Sequence, residues 1–152
     1  MAFDIDRTLH AVTSFLKVDG KFRTVTIGEP KSITPLTSIC VAVFMQSTAI
    51  TKFYLNGGTE EVHVVMVRLY RDMLAEPTED IETDLAKSVQ RIVSDLLGDY
   101  DLGATIRNID GAGGIGTNLG SAWGYTDLSG RMFRIVDITL PLIVDDSATA
   151  AA

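Results

Sequence analysis

The chain has 152 residues, a formal net charge of −7 and a single cysteine, Cys40. This length is typical of one domain with its own core, and the acidic balance argues against electrostatic binding of nucleic acid, which requires clustered Lys and Arg. A lone thiol cannot form an internal disulfide, and we expect Cys40 to be buried in its apolar run. No apolar run approaches the roughly 20 residues of a membrane-spanning helix, and the first residues lack a signal-peptide core.

The N-terminal half predicts one helix followed by three strands. Residues 4–18 place their apolar side chains on one helical face, and residues 22–27 alternate as a strand does. Two longer β-branched runs follow at 37–50 and 60–73. Because the second run is apolar on both of its faces, we expect it to lie in the middle of a covered sheet.

A turn joins these two long strands. Asn56, Gly57 and Gly58 form the sequence NGG, which is a strong signal for a hairpin. The preceding residues, 51–55, extend the first strand, and we expect them to form an arm that projects from the domain.

The C-terminal half predicts a second helix and three more strands. The helix covers 76–98 and carries an apolar stripe that packs on the sheet. Strands are predicted at 105–109, 121–128 and 131–144, with a Ser-Gly turn between the last two. Pro141 is expected to end the paired part of the last strand or to confine it to a sheet edge.

The predicted order of elements is α-β-β-β-α-β-β-β. This order is typical of an α+β domain with a mixed, largely antiparallel sheet of about five to six strands and two helices packed on it. We expect one domain over residues 1–144 and a flexible C-terminal tail over 145–152.

Gly111, Gly113 and Gly116 match the G-x-G-x-x-G fingerprint of dinucleotide-binding sites. Such a site requires a helix directly after the glycines, whose N-terminus meets the phosphates. The residues that follow, TNLGSAWGY, have no apolar helical stripe, and Asp110 would repel a phosphate. We therefore interpret residues 110–120 as a mobile or interface-forming loop between two strands, with nucleotide binding as a remote alternative.

Groups for catalysis or metal binding are few in the sequence. His10 and His63 are the only histidines, and neither has a ligand partner at useful spacing. No hydrolase or metalloprotease motif is present. We therefore expect no enzyme activity, no metal and no cofactor.

Two pairs of side chains have both a functional and a structural interpretation. Arg68 and Arg71 form an anion site in the first interpretation and ion pairs with acids such as Asp72 or Glu76 in the second. Trp123 and Tyr125 alternate on one strand and could form a binding face. A core Trp flanked by glycines is the commoner arrangement, and we expect that one.

Three runs of the sequence resemble tail terminator proteins of long-tailed, siphovirus-type phages that infect actinobacteria. They are EVHVVMVRLYRDMLAEPTEDIETDL, LLGDYDLGATIRNIDGAGG and GSAWGYTDLSGRMFRIVDITLPLIVDD. The resemblance covers roughly residues 22–146 and rests on these runs and on the order of the segments, since the family has no short diagnostic motif.

The resemblance implies a homo-oligomeric ring, commonly a hexamer, located in the virion at the neck end of the tail and assembled in the host cytoplasm. The ring would cap the tail tube, end polymerisation of the major tail tube protein and offer a surface to the head–tail connector or head-closure protein. Genome DNA would pass through the lumen without specific binding, and no membrane is involved. Another neck component, such as a head-closure or joining protein, is the alternative.

Under this interpretation the contact elements are the arm at 51–60 and the loop at 110–120. Their turn chemistry and the lack of a core-facing stripe suggest the following candidate interface residues: Asn56, Gly57, Gly58, Gly111, Gly113, Gly114, Gly116 and Asn118. Deleting residues 111–116 is expected to leave a folded protomer that is impaired in ring formation or in docking on the tube.

Overall fold

A computed structural model describes most of the chain, namely residues 5–18, 22, 24–30, 39–55, 57–73, 78–98, 108–109 and 119–146. Within these residues, two helices and six strands follow each other in the predicted order. Their bounds are α1 Ile5–Val18, β1 Thr24–Ile27, β2 Cys40–Phe53, β3 Thr59–Asp72, α2 Thr78–Gly98, β4 Asn108–Ile109, β5 Gly120–Leu128 and β6 Arg131–Asp146.

The strands form a single mixed sheet, which confirms the predicted α+β class. Its order is β1-β2-β3-β6-β4, and β5 also pairs with β6. Only β1 and β2 pair in parallel; the other pairs are antiparallel. Strand β6 pairs on one side with two strands in succession: with β5 from Arg131 to Thr139, and with β4 at Leu142 and Ile143.

Strand β3 lies in the middle of the sheet, as its apolar sequence predicts. It pairs with β2 on one side and with β6 on the other, and nearly all of its side chains are buried. A strand covered on both faces needs apolar residues at consecutive positions, and the run from Val64 to Val67 supplies them.

Both helices pack on the same face of this sheet and form the main core. The periodic apolar positions of α1 and α2 meet alternate residues of β2, β3 and β6, since side chains of a strand point to the two faces in turn. Each fully buried aliphatic side chain stabilises the fold by about 1.5–3 kcal/mol. The core includes Val12, Leu16, Ile81, Leu85, Ile92, Leu96, Val41, Val65, Leu69, Val136 and Ile138.

Pro141 neither ends β6 nor lies at a sheet edge, so that prediction was wrong. The residue lies inside β6 and pairs with Val64 of the central strand. On the other side of β6, pairing with β5 ends at Thr139 and pairing with β4 begins at Leu142. Among the described residues neither strand pairs with Pro141, which suits a residue that has no N–H to donate.

Strand β6 also extends further than the predicted domain end at residue 144. Asp145 and Asp146, which the sequence assigned to the tail, pair with Glu60 and Thr59 of β3. The remaining tail residues, 147–152, lie outside the described residues. Cys40, the first residue of β2, is buried as predicted.

Candidate functional site

The turn between β2 and β3 is closed by two backbone hydrogen bonds. The N–H of Tyr54 donates to the carbonyl of Gly58 at 2.8 Å, and the N–H of Gly57 donates to the carbonyl of Tyr54 at 2.9 Å. Gly57 has a φ of +85°, a left-handed conformation that favours glycine. Of the three predicted interface residues in this turn, Gly57 is exposed, Gly58 is buried, and Asn56 lies outside the described residues.

Three large apolar side chains are exposed at this turn, and together they are called the hairpin tip: Phe53, Tyr54 and Leu55. Phe53 is 75% exposed, and Leu55 is fully exposed. The neighbouring Lys52 is exposed, with its Nζ 3.8 Å from Oε2 of Glu60. Contiguous exposed apolar side chains of this kind mark a contact surface. Strand β2 extends through residues 51–53 as predicted, but β6 pairs with β3 as far as Thr59, so the hairpin does not project from the sheet as an arm. Its exposed apolar residues precede the glycines that the sequence singled out.

A second exposed apolar surface lies on β5 and β6 and is called the aromatic patch: Trp123, Tyr125, Met132 and Arg134. Trp123 is 39% exposed and Tyr125 is 59% exposed, so the expectation of a core Trp was wrong. Trp123 and Tyr125 pair with Val136 and Arg134, and Val136 belongs to the core beneath the helices. Because directly paired residues of neighbouring strands point to the same face, the patch lies on the helix-bearing face of the sheet, beyond the area that the helices cover. The binding-face interpretation fits this exposure.

Arg134 holds the aromatic patch in place. Its guanidinium carbon lies 5.5 Å from the centroid of the Trp123 ring and 4.5 Å from that of Tyr125. The same side chain donates to Glu82 of α2 at 2.5 Å and to the carbonyl of Gly124 at 3.2 Å. A guanidinium held by a carboxylate and by cation–π contacts fixes the orientation of both rings.

The hairpin tip and the aromatic patch lie toward opposite ends of the sheet. Phe53 pairs with Thr59 at one end of β3, whereas Tyr125 pairs with Arg134, which pairs with Arg71 near the other end. Twelve residue steps separate Thr59 from Arg71. At about 3.3 Å for each residue, the two surfaces are separated by about 40 Å along the strands.

Arg68 and Arg71 are neutralised by acids, so an anion site at these residues is not supported. Arg68 donates to both carboxylate oxygens of Asp137, at 2.6 and 3.0 Å, and also contacts Glu29. Arg71 donates to Asp84 of α2 at 3.2 Å. Both arginines pair with acids, as the structural interpretation expects, but the partners come from distant elements. Of the two acids that the sequence suggested, Asp72 pairs with Arg131 and Glu76 lies outside the described residues.

The ion pair between Arg68 and Asp137 also affects protonation. The hydrogen bonds that Arg68 donates to Asp137 raise the pKa of the Arg68 guanidinium above its ordinary value, and burial acts against this rise. Burial raises the pKa of the neighbouring Tyr70 hydroxyl, and a hydrogen bond with Arg68 opposes that rise. Both groups therefore keep their protons at neutral pH, Arg68 as a cation and Tyr70 as a neutral phenol.

A buried chain of polar side chains joins α1 to β3, and sequence reasoning missed it. The Thr8 hydroxyl lies 2.8 Å from Nδ1 of His63, whose Nε2 lies 3.2 Å from Oε1 of Glu61. Thr59 donates to Oε2 of Glu61 at 2.9 Å. The order of hydroxyl, imidazole and carboxylate is that of a catalytic triad, but His63 and Glu61 are completely buried. A substrate cannot reach these groups, so the chain of hydrogen bonds has a structural role.

The predicted glycine loop is not part of the described structure. The following candidate residues lie outside the described residues: Gly111, Gly113, Gly114, Gly116 and Asn118. Among the residues that the structure does describe, no group of three or more His, Cys, Asp or Glu side chains is placed to hold a metal ion. Over the same residues, no helix is both long and apolar enough to cross a membrane.

Comparison of the chain with models of protein families and with curated proteins finds no match. The assignment of a function therefore rests on the sequence runs described above and on the two exposed surfaces.

Proposed function

We propose that this chain is a structural virion protein that assembles into a ring, caps the tail tube of a long-tailed phage and joins the tail to the head. The observation that carries the proposal is the presence of two different apolar surfaces, the hairpin tip and the aromatic patch, toward opposite ends of one sheet. The resemblance of residues 22–146 to tail terminator proteins supports the same role.

Ring formation by identical copies requires two unlike faces on each copy. A head-to-tail contact repeats until the rotation between neighbours closes the ring, whereas a contact between identical faces stops at a dimer. The hairpin tip is a run of exposed apolar side chains at a turn, whereas the aromatic patch is held in a fixed arrangement by Arg134 and Glu82. Surfaces that differ in this way suit a head-to-tail contact.

The charge of the chain also supports a role at a channel for DNA. A net charge of −7 is compatible with a channel wall that repels phosphates and lets the genome pass without binding. A ring whose lumen proved to be lined with Lys and Arg would contradict this part of the proposal.

Negative-stain electron microscopy of the purified chain, alone and mixed with tail tubes, tests the proposal. We expect rings of one fixed diameter at the ends of the tubes and tubes that no longer elongate when tube protein is added. Rings that bind isolated head connectors but leave tube growth unchanged would instead identify another neck component. A chain that forms no ring and leaves tube ends free would contradict the proposal.

Isothermal titration with dinucleotides tests the remote alternative of a nucleotide-binding domain. We expect no heat of binding, because the sequence after Gly116 does not predict the helix that such a site requires. Saturable heat that is lost in a Gly113→Ala variant would favour the alternative.

A further inference from the structure

We infer that strand β5 pairs in antiparallel fashion with β5 of a second copy of this chain and so joins two sheets into one. Strand β5 lies at an edge of the sheet: it pairs with β6 on one side, and no described strand pairs with it on the other. None of its nine residues is buried, so this edge is open to solvent. The outward N–H and C=O groups of an edge strand are unpaired, and a further strand is the partner that satisfies them.

The edge of β5 lacks the features with which proteins usually block such pairing. Its register with β6 runs without a bulge from Gly120 to Leu128, it has no proline and no lysine, and Asp127 is its only charged residue. At the opposite edge of the sheet, β1 has only four residues, and β2 beyond it shifts register at Gln46 and again at Thr51. Bulges interrupt a ladder, so pairing between sheets is disfavoured there and open at β5.

The strand itself selects one register of this pairing. A sheet that continues across the contact keeps every side chain on its own face, so only residues of the same face lie opposite each other. When Gly124 lies opposite Gly124 of the second copy, all nine residues of both strands are paired. A shift by two residues in either direction leaves two residues of each strand without a partner.

The side chains that meet in this register are compatible. Trp123 of each copy lies opposite Tyr125 of the other, and such aromatic pairs stabilise neighbouring strands. Asp127 lies opposite Ser121 and not opposite a second acid. Each register shifted by two residues loses both mixed aromatic pairs, because it places one aromatic residue opposite its own copy and the other opposite Asp127 or Ser121.

Acidic residues near β5 do not meet at close range in this arrangement. Six residue steps separate Ser121 from Asp127, so the two Asp127 side chains lie about 20 Å apart at about 3.3 Å for each residue. Glu82 is bonded to Arg134 of its own chain, and the two β6 strands are three strand spacings apart, about 14 Å. Both separations exceed the screening length of about 8 Å at physiological salt.

Charge as a whole opposes the contact, which gives it a characteristic salt dependence. Each copy has a net charge of −7, to which the acidic residues of α2 contribute. Screening by salt weakens the repulsion between the two copies. The dimer should therefore become more stable as the salt concentration rises, whereas a contact made by opposite charges would become weaker.

The contact goes beyond the proposed function and does not depend on it. A contact between identical surfaces closes at a dimer, so it is not the head-to-tail contact of the proposed ring. It describes the free chain, before any tail tube or connector is present.

Cysteine cross-linking in a Cys40→Ala background tests the register. A Gly124→Cys variant should form a disulfide-linked dimer on mild oxidation, because this position faces itself across the twofold axis. Gly120→Cys is the matched control: it lies on the same face of the same strand, an added Cβ there meets no atom within 4 Å, and its own copy lies eight residue steps away. A mixture of Gly120→Cys and Leu128→Cys should cross-link, since the register places these two positions opposite each other.

Paired charges on β5 test the same contact without oxidation. Ala122 of one copy lies opposite Thr126 of the other, so Ala122→Lys combined with Thr126→Lys opposes two lysines twice and should give a monomer. Ala122→Lys combined with Thr126→Glu should dimerise at least as well as wild type. The two positions of one chain are four residue steps, about 13 Å, apart, so the difference arises between copies. The double lysine variant is also less negative, so a general charge effect would act in the opposite direction.

Sedimentation of the free chain gives the mass of the species at low and at high salt. We expect twice the mass of one chain, more populated at high salt. A free chain that sediments as a monomer, a Gly124→Cys yield no greater than that of Gly120→Cys, or equal dimerisation of the two charge variants would overturn the inference. Rings on tail tubes from a chain that is monomeric when free would leave the proposed function standing and reject this contact. A β5 dimer whose tubes stay uncapped would leave the contact standing and reject the terminator role.

Discussion

The hydroxyl of Thr8 and Nδ1 of His63 lie 2.8 Å apart, and this contact joins α1 to the central strand across 55 positions of the sequence. Nε2 of the same ring faces Glu61. A carboxylate can only accept, so the ring donates from Nε2 to Glu61, and Nδ1 is left to contact the hydroxyl of Thr8. The hydrogen bonds therefore fix the helix on the sheet and the orientation of a completely buried imidazole.

Replacing Thr8 by Val is expected to lower the free energy of unfolding by about 1–3 kcal/mol, because it removes the hydroxyl that is hydrogen-bonded to Nδ1 of buried His63. Urea denaturation measures the change. Thr13→Val is the control, since Thr13 is a buried threonine of the same helix that donates only to the carbonyl of Leu9. Equal losses in the two variants would show that the contact with His63 adds nothing to stability.

Stability is expected to fall at alkaline pH because of Tyr70. Burial raises its folded-state pKa above the ordinary value of 10.0, so the unfolded chain loses the proton first. The stabilisation is fully present below about pH 10 and is lost as the pH rises through the folded pKa. The free energy of unfolding of wild type and of Tyr70→Phe is measured at pH 8 and at pH 11. We expect this free energy to fall more between the two pH values in wild type than in the variant; equal losses in the two proteins would contradict the prediction.

The turn between β5 and β6 is expected to depend on Gly130. Ser129 and Gly130 both have positive φ, 54° and 80°, as a two-residue hairpin turn of this hand requires. Gly130→Ala should reduce the unfolding free energy by about 1–2 kcal/mol through backbone strain alone, since an added Cβ meets no atom within 4 Å.

Gly120→Ala is the matched control for this turn, because space is equally open there and φ is not positive. It should leave stability unchanged or raise it by up to about 1 kcal/mol, since alanine loses less chain entropy than glycine on folding. Thermal or urea unfolding of both variants separates strain from volume. A loss at Gly120 as large as that at Gly130 would contradict the argument.

Trp123 is the only tryptophan of the chain and is expected to report the contact between two β5 strands. As protein concentration rises, its emission should shift to shorter wavelength and its quenching by acrylamide should decrease. Ala122→Lys combined with Thr126→Lys should abolish both changes, because it opposes lysines across that contact, whereas Leu55→Asp should not, because the hairpin tip lies toward the other end of the sheet. Assembly that leaves the emission of Trp123 unchanged would place the contact elsewhere.

Local patterns in the sequence determine the elements of this protein. The apolar period of residues 5–18 and 78–98, the apolar run of β3 and the Ser129-Gly130 turn can be recognised without knowing their neighbours. The reason is that helix periodicity, burial on both faces and positive φ depend on residues a few positions apart. The α+β class follows from the order of these elements.

Tertiary structure decided what each side chain faces. Trp123 lies on a strand whose helix-bearing face is left partly open, His63 is bonded to a residue 55 positions away, and Pro141 lies where two neighbouring strands change over. These outcomes depend on which distant elements pack together, and no short-range pattern encodes that choice. For the same reason the sequence indicated the turn at Gly57, whereas only the packed sheet placed the hairpin tip and the aromatic patch toward opposite ends.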